Sequence, residues 1–310
     1  MHSSYANNAS EPKKRSSRGA FVLVMVLVLL VVAALSLAGV ARRSLESAEE
    51  AATAQEDLQR RWGVLSALRL YLPSAEALLE AEAKKQAAMG QGWPFPASVS
   101  GEFVLNGLHF SLVLADEDAK VNLNAIFHQG SDGISQVATA LDQLAATDGL
   151  AVQVRPMSED STKSGAKVFR SWGQIFDLTP YVSPAESASR LRDATHEITC
   201  WGSGRLNICR ASDQAIRAVC QNKINPDVLD KLLSLRRDKE MKGLDDLLTR
   251  MALRIEDRAV LERLLSDRST RHSIWIEVRN ARRSWAVLAL DRGGGSGGGQ
   301  NSAVQEMFTW

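Results

Sequence analysis

The chain has 310 residues, an apolar content of 45%, and 37 Lys and Arg against 36 Asp and Glu, for a net charge of +1. Such balance gives no bulk electrostatic reason to expect a nucleic-acid partner. The apolar content is ordinary for a folded chain with a core, and the length fits one or two domains plus an anchor.

Residues 1–19 are Ser- and Asn-rich and then basic, with Lys13, Lys14, Arg15 and Arg18 ahead of Gly19. They are expected to be unstructured, cytoplasmic and removed. Residues 20–41, AFVLVMVLVLLVVAALSLAGVA, carry no charge. A run of about 22 residues makes roughly 33 Å of helix, enough to cross a bilayer core of about 30 Å. Arg42 and Arg43 close it, and Glu46, Glu49 and Glu50 follow. Acidic residues count little in the positive-inside rule, so the basic N-terminus favours the cytoplasmic side modestly. Three fates fit this run. A secretory signal would be cut after Gly39-Val40-Ala41, although its apolar stretch is usually only about 7–15 residues. A plain anchor would stay uncut. The third fate, which the residues favour, is that of a leader resembling type IV prepilins. A short basic segment ends in one glycine, Gly19, and the apolar run begins at Ala20 with no polar spacer. A prepilin peptidase would cut between the two and leave the helix on the mature protein.

Beyond the run, Leu45, Ala48, Ala52, Gln55, Leu58, Trp62, Leu65 and Leu68 recur at spacings of three and four, the stripe of an amphipathic helix. No proline intervenes before Pro73, so one helix is predicted from about Phe21 to about Leu72. Half of it would lie in lipid, and half would pack on a soluble head through this stripe. A further helical piece follows as far as about Lys85, and Gly90, Gly92, Pro94 and Pro96 end it. Residues 102–115 hold two alternating apolar runs around Asn106-Gly107, a strong hairpin signal, with Phe110, Leu112 and Leu114 on one face. Asp116, Glu117 and Asp118 then stand in a row. Their spacing is not that of an EF-hand, and a solvated turn is expected in preference to a calcium site.

From there to about residue 267 the pattern is helical and more polar. Helices are predicted over 134–144, 171–176, 184–194, 213–220, 226–236, 244–251 and 256–265, with Asn225 capping the one that starts at Pro226. A short strand is expected near 151–154, and two extended pieces around a Gly turn over 198–209. Cys200, Cys209 and Cys220 fall close together. In an extracytoplasmic head they offer one disulfide of unspecified pairing, and isolated buried thiols account for them equally well. No His sits at metal-ligand spacing from them. The chain ends on alternating strands near 273–279 and 284–290, a Gly-rich loop over 291–299 and a last strand near 303–310. Together with 102–114 these form one sheet, split by about 150 residues.

With these elements in place, the chain resembles the K-type minor pseudopilin of the type II secretion system, also called general secretion pathway protein K. The leader RGAFVLVMV at 18–26 carries the likeness. So do ADEDAKVNLNAI at 115–126, GRLNICRAS at 204–212 with INPDVLDKLLSLR at 224–236, and the paired C-terminal strands. The resemblance implies an α+β fold, in which a pilin-like N-terminal helix packs on an antiparallel sheet with a large, mostly helical insertion. It divides the chain into a cleaved leader (1–19), a transmembrane and amphipathic helix (20–72), a first part with strands (73–128), a helical inserted domain (129–268) and closing strands (269–310). Cleavage would fall between Gly19 and Ala20, with N-methylation of Ala20. The fifth mature residue would be Val24 where most pilins have Glu; a buried acid in lipid costs about 2.5–3.5 kcal/mol. Lacking that acid, a subunit need not dock beneath another, which the resemblance connects with a place at the filament tip. Cys209 and Arg210 stand where the family has Asn-Thr.

The implied function is structural and not enzymatic: starting the pseudopilus and helping export folded proteins across the outer membrane. The implied partners are the other minor pseudopilins, the major pseudopilin, prepilin peptidase and the inner-membrane secretion platform. The location would be the bacterial inner membrane, single-pass, with the head periplasmic. No cofactor is expected; calcium enters only through the resemblance, with no ligands identified, and no metal site is assigned. The alternative is a membrane-anchored DNA-uptake protein, because 211–250 faintly resembles a helix-hairpin-helix module. Such modules use a Gly-rich hairpin, and 221–225 has no Gly. An enzyme finds no support: His2, His109, His128, His196 and His272 are scattered, with no nucleophile signature. Trp172, Trp201, Trp275 and Trp285 are expected in the core and not around a ligand.

Overall fold

In the computed structural model, residues 17–129, 132–145, 150–157, 167–178, 184–238, 241–281, 283–291 and 306–309 are described. The chain divides into two units, Met1–Leu58 and Gln59–Trp310. Helix α1 spans Ser17–Tyr71, so it begins at Ser17 and includes Gly19; residues 17–19, expected to be irregular, are helical. Residues 1–16 lie outside the described part. In the first unit, α1 is exposed from Phe21 to Glu50. It carries a window of mean hydropathy 3.2, long and apolar enough to cross a membrane.

The second unit begins with the last turns of α1, followed by α2 (Ala75–Ala88) and a hairpin of β1 (Ser98–Leu105) and β2 (Leu108–Asp116). Asn106 and Gly107 have φ of 48° and 86°. These left-handed values are those of a two-residue type I′ turn, which is why Asn-Gly is favoured there. The chain continues through β3 (Val121–Asn122), α3 (Leu123–Phe127), α4 (Gly133–Leu144), β4 (Ala151–Val152), β5 (Phe176–Asp177), α5 (Pro184–Ala194), β6 (Ile198–Thr199) and β7 (Leu206–Asn207). Then come α6 (Asp213–Cys220), α7 (Pro226–Arg236), α8 (Leu244–Met251), α9 (Ile255–Leu264), β8 (Leu265–Ser266), β9 (His272–Arg279), β10 (Ser284–Leu290) and β11 (Glu306–Thr309).

The main sheet is antiparallel, in the order β1-β2-β9-β10-β11. The strands near 102–114 and 273–310 thus share one sheet across the insertion, as the alternation predicts. One face packs on the helix: Val64, Ala67 and Leu68 of α1 meet Phe110, Leu112 and Leu114 of β2 and Ile274, Ile276 and Val278 of β9. The other face, through Trp275, Ala286, Leu288 and Leu290, joins the larger core of the insertion.

Two local expectations are corrected. The helix does not pack through the stripe read from the sequence: of its members in the head, Leu68 is buried but Trp62 and Leu65 are exposed. The contact surface is Gly63, Val64, Ala67 and Leu68. Here small residues let the helix approach the Phe110 ring, a requirement that hydrophobic periodicity does not register. The expected helix over 171–176 is a 3-10 turn, Trp172–Gln174, followed by β5. The two extended pieces expected over 198–209 are present as β6 and β7; β6 runs parallel to β3 and β7 parallel to β8. Of the two accounts left open for the cysteines, a disulfide or isolated thiols, the fold shows free thiols: Cys200 and Cys220 are buried and Cys209 is half-buried.

Candidate functional site

Asp116, Glu117 and Asp118 do not form a solvated turn. They are 0%, 2% and 1% exposed, at the end of β2 where the sheet meets the insertion. A buried carboxylate is costly unless hydrogen-bonded, and each of these three is. Asp116 Oδ1 accepts the Asp118 amide. Its Oδ2 accepts Asn207 Nδ2 at 3.2 Å, Arg210 Nη1 at 3.1 Å and the Ser269 hydroxyl. Glu117 accepts from Lys120 Nζ at 2.7 Å, the Ser273 hydroxyl at 2.6 Å and the Thr199 hydroxyl. Asp118 accepts the amides of Ser203 and Thr270 and the Thr270 hydroxyl. Three consecutive acids therefore anchor β2 to β9, to the segment before it and to the 199–210 stretch of the insertion.

Arg210 and His272 extend the cluster to α2. Arg210 donates two bonds of 2.9 Å to the two carboxylate oxygens of Glu76, the fork geometry that makes Arg–carboxylate pairs strong. His272 sits between Glu76 Oε2 and Asp291 Oδ2, 3.0 Å from each. With an acceptor at both ring nitrogens, the imidazolium form is favoured. Burial pushes the His272 pKa down, but the bonds to Asp291 and Glu76 outweigh it and raise it to about 9. Burial pushes Glu76 up, yet His272 and Arg210 draw it down to about 2. Asp116 is raised by burial, with the Ser269 bond and Arg210 opposing the shift.

The asparagines of the 121–126 segment are structural. Asn122 caps α3 by accepting the amides of Asn124 and Ala125. Buried Asn124 donates to the carbonyls of Phe169 and Cys200 and accepts the amides of Val168 and Phe169. Arg236, with no exposed surface, donates to the carbonyls of Ile208 and Ala211 and to Asp213.

The sequence-level candidates fall as follows. Trp172, Trp201 and Trp275 lie in the core; Trp285 is half-buried beneath Arg60, whose guanidinium carbon is 5.4 Å from the ring centroid. His109 and His196 are exposed and His128 caps the C-terminus of α3. Burial raises the thiols of Cys209 to about 12 and Cys220 to about 11, which leaves them poor nucleophiles. Among the described residues, no three His, Cys, Asp or Glu are placed to hold a metal ion. Gly19, Ala20 and Val24 lie within α1. Sequence reading missed Glu76, Arg210, His272 and Asp291. The available signal was Arg210 itself, a charge directly after the LNIC block at 206–209.

Together these features define a class: an α+β protein with one N-terminal helix fit to span a membrane, and a head built on a sheet whose strands are joined by a long insertion around a buried charged hub. No family model and no curated protein matches the sequence. Among solved structures, the chain is similar to one in the crystal structure of the GspK-GspI-GspJ complex of the enterotoxigenic Escherichia coli type 2 secretion system. Identity is 16%, coverage is 84% of this chain and 99% of that one, and the TM-score is 0.43.

Proposed function

We propose that this chain is a minor pseudopilin of a type II secretion system, positioned at the tip of the pseudopilus, where it starts assembly and supports export of folded proteins. One observation carries the reading: the apolar run starts immediately after Gly19 and continues in the same helix, Ser17–Tyr71, down to the turns that close one face of an antiparallel sheet. That is how a pilin-like subunit joins an anchor to a head. Val24 at the fifth mature position supports a tip location, since no acid is present to pair with the terminal amine of a subunit above. Trp62, Leu65 and Leu70 are exposed on the helix and provide apolar surface for other pseudopilins to cover. The hub fits this role: its described members bond to one another and tie the insertion to the end of β2. In this reading prepilin peptidase cleaves after Gly19, Ala20 is N-methylated, the helix stays in the inner membrane and the head faces the periplasm. No cofactor takes part, and calcium has no assigned ligands.

The mass of the mature N-terminus tests this. A chain beginning at methylated Ala20 is expected. Replacing Gly19 with a bulky residue should leave uncut precursor in the membrane. A mature end at Arg42 would overturn the reading, because the subunit would have no helix with which to enter a filament.

A further inference from the structure

The β1 strand is the edge of the main sheet. It runs eight residues, SVSGEFVL, with unbroken register against β2 from Ser98 to Leu105, so no bulge interrupts it. Soluble proteins usually guard such an edge with Pro, Lys, a bulge, shortness or a covering element. The opposite edge, β11, is short, at four residues. In β1 there is no Pro and no Lys.

The hairpin turn determines which groups are available. In a two-residue type I′ hairpin the residues flanking the turn, Leu105 and Leu108, form a hydrogen-bonded pair. Antiparallel alternation then directs the backbone of Phe103, Gly101 and Val99 to β2. The N–H and C=O groups of Ser98, Ser100, Glu102 and Val104 point the other way. None of the described backbone bonds outside the strands involves these four residues. Their side chains lie on the sheet face away from α1. There Val104 is 60% exposed, and Glu102 makes no hydrogen bond or ion pair among the described residues.

We propose that β1 is a strand-addition site: an edge strand of another pseudopilin head pairs with it, presenting a basic residue opposite Glu102 and an apolar residue opposite Val104. This deepens the proposed function and rests on it. The charge selects against a second copy of this chain. Two β1 edges pairing antiparallel about a two-fold axis, in their longest registers, set Glu102 opposite or diagonal to its own copy, and like charges so placed oppose pairing. An extended partner with a cation there gains main-chain bonds and an ion pair together.

The test compares amide exchange of the full chain purified alone with that of the chain recovered, through a tag and in mild detergent, with the other pseudopilins of its own system. Alone, the amides of Ser100, Glu102 and Val104 should exchange fast while those of Gly101 and Phe103 are slow. In the assembly, the first three should slow by at least about tenfold, giving protection along the whole strand. Val104→Pro removes one outward N–H, and Glu102→Lys reverses the charge at an exposed position. Each should lower recovery of the partner by about tenfold or more, with the thermal midpoint of Glu102→Lys unchanged. Partners recovered with these three amides still fast would overturn the inference and leave the assembly reading standing. Protection in the chain alone, at a dimer's mass, would overturn it in favour of self-pairing. A wild-type chain that recovers no pseudopilin would overturn the assembly reading and this inference with it.

Discussion

The two faces of the main sheet are closed by different means. Towards α1, the contact is almost wholly apolar: one helix, one hairpin and two strands that return after the insertion. Towards the insertion, the core is larger and built from many short segments. It is held to the end of β2 by hydrogen bonds that buried Asp116, Glu117 and Asp118 accept from Thr199, Ser203, Asn207 and Arg210. The difference shows what each closure requires. An amphipathic helix needs only a matching surface, and burial supplies its stability without specifying much beyond register. Short helices and the loops between them have many alternative packings, and directional bonds to a few fixed carboxylates select one of them.

The largest loss is expected at Arg210. Arg210→Ala removes the cation shared by Glu76 and Asp116 and leaves Asp116 buried without its charge partner. Breaking a buried pair on one side typically costs about 3–5 kcal/mol. The urea midpoint of the full chain in detergent should fall accordingly. A loss below about 1 kcal/mol, the range of exposed pairs, would mean the hub does not hold the insertion.

His272 sharpens the comparison through pH. Its pKa is raised from 6.5 to about 9 in the folded chain. Stability from the imidazolium is therefore complete below about 6.5 and is lost as pH rises through about 9. The loss is on the order of 3 kcal/mol, spread over that interval. Glu76 acts in the opposite direction: with its pKa lowered from 4.5 to about 2, its contribution is present above 4.5 and lost as pH falls towards 2. Unfolding of the wild type measured at pH 6 and pH 10 should show the alkaline loss, and His272→Phe should abolish the difference. An equal loss in that variant would place the alkaline effect elsewhere.

Legibility in the sequence follows the same division. The apolar run, the Asn-Gly hairpin and the alternating C-terminal strands were readable because each is specified by its own neighbours. The caps were readable for the same reason: Asn225 accepts the Asp227 amide just ahead of Pro226 in the first turn of α7, as predicted. The acidic triplet was misread because its partners, Arg210, Ser269 and Thr270, lie about 90–150 residues away, and no local pattern distinguishes a paired carboxylate from a solvated one. The helix stripe was misread for a subtler reason. Apolar residues occur on more than one side of α1, and which side packs is decided by how closely the backbone can approach the sheet. Hydropathy does not carry that information; small residues at 63 and 67 do.

That point gives the smallest predicted effect and a test of the apolar face alone. A Cβ added at Gly63 would lie 2.4 Å from Phe110 Cζ and 2.6 Å from Cε1. The ring is 1% exposed and stacks on Phe103 with centroids 4.5 Å apart, so it has little freedom to withdraw. Two terms compete in Gly63→Ala. Replacing Gly in a helix interior gains about 0.5–1 kcal/mol from reduced unfolded-state entropy and better propensity. Overpacking a closed core costs about 1–3 kcal/mol. The second is larger, so Gly63→Ala should destabilise the head by about 0.5–2 kcal/mol. The sign reverses if the ring is given room. In a Phe110→Leu background, itself destabilised by lost burial, the clash is relieved and the helix gain remains, so Gly63→Ala should be neutral or stabilising. The two substitutions should thus couple by about 1 kcal/mol or more in a double-mutant cycle. Strict additivity would mean that Gly63 does not set the approach of α1 to the sheet.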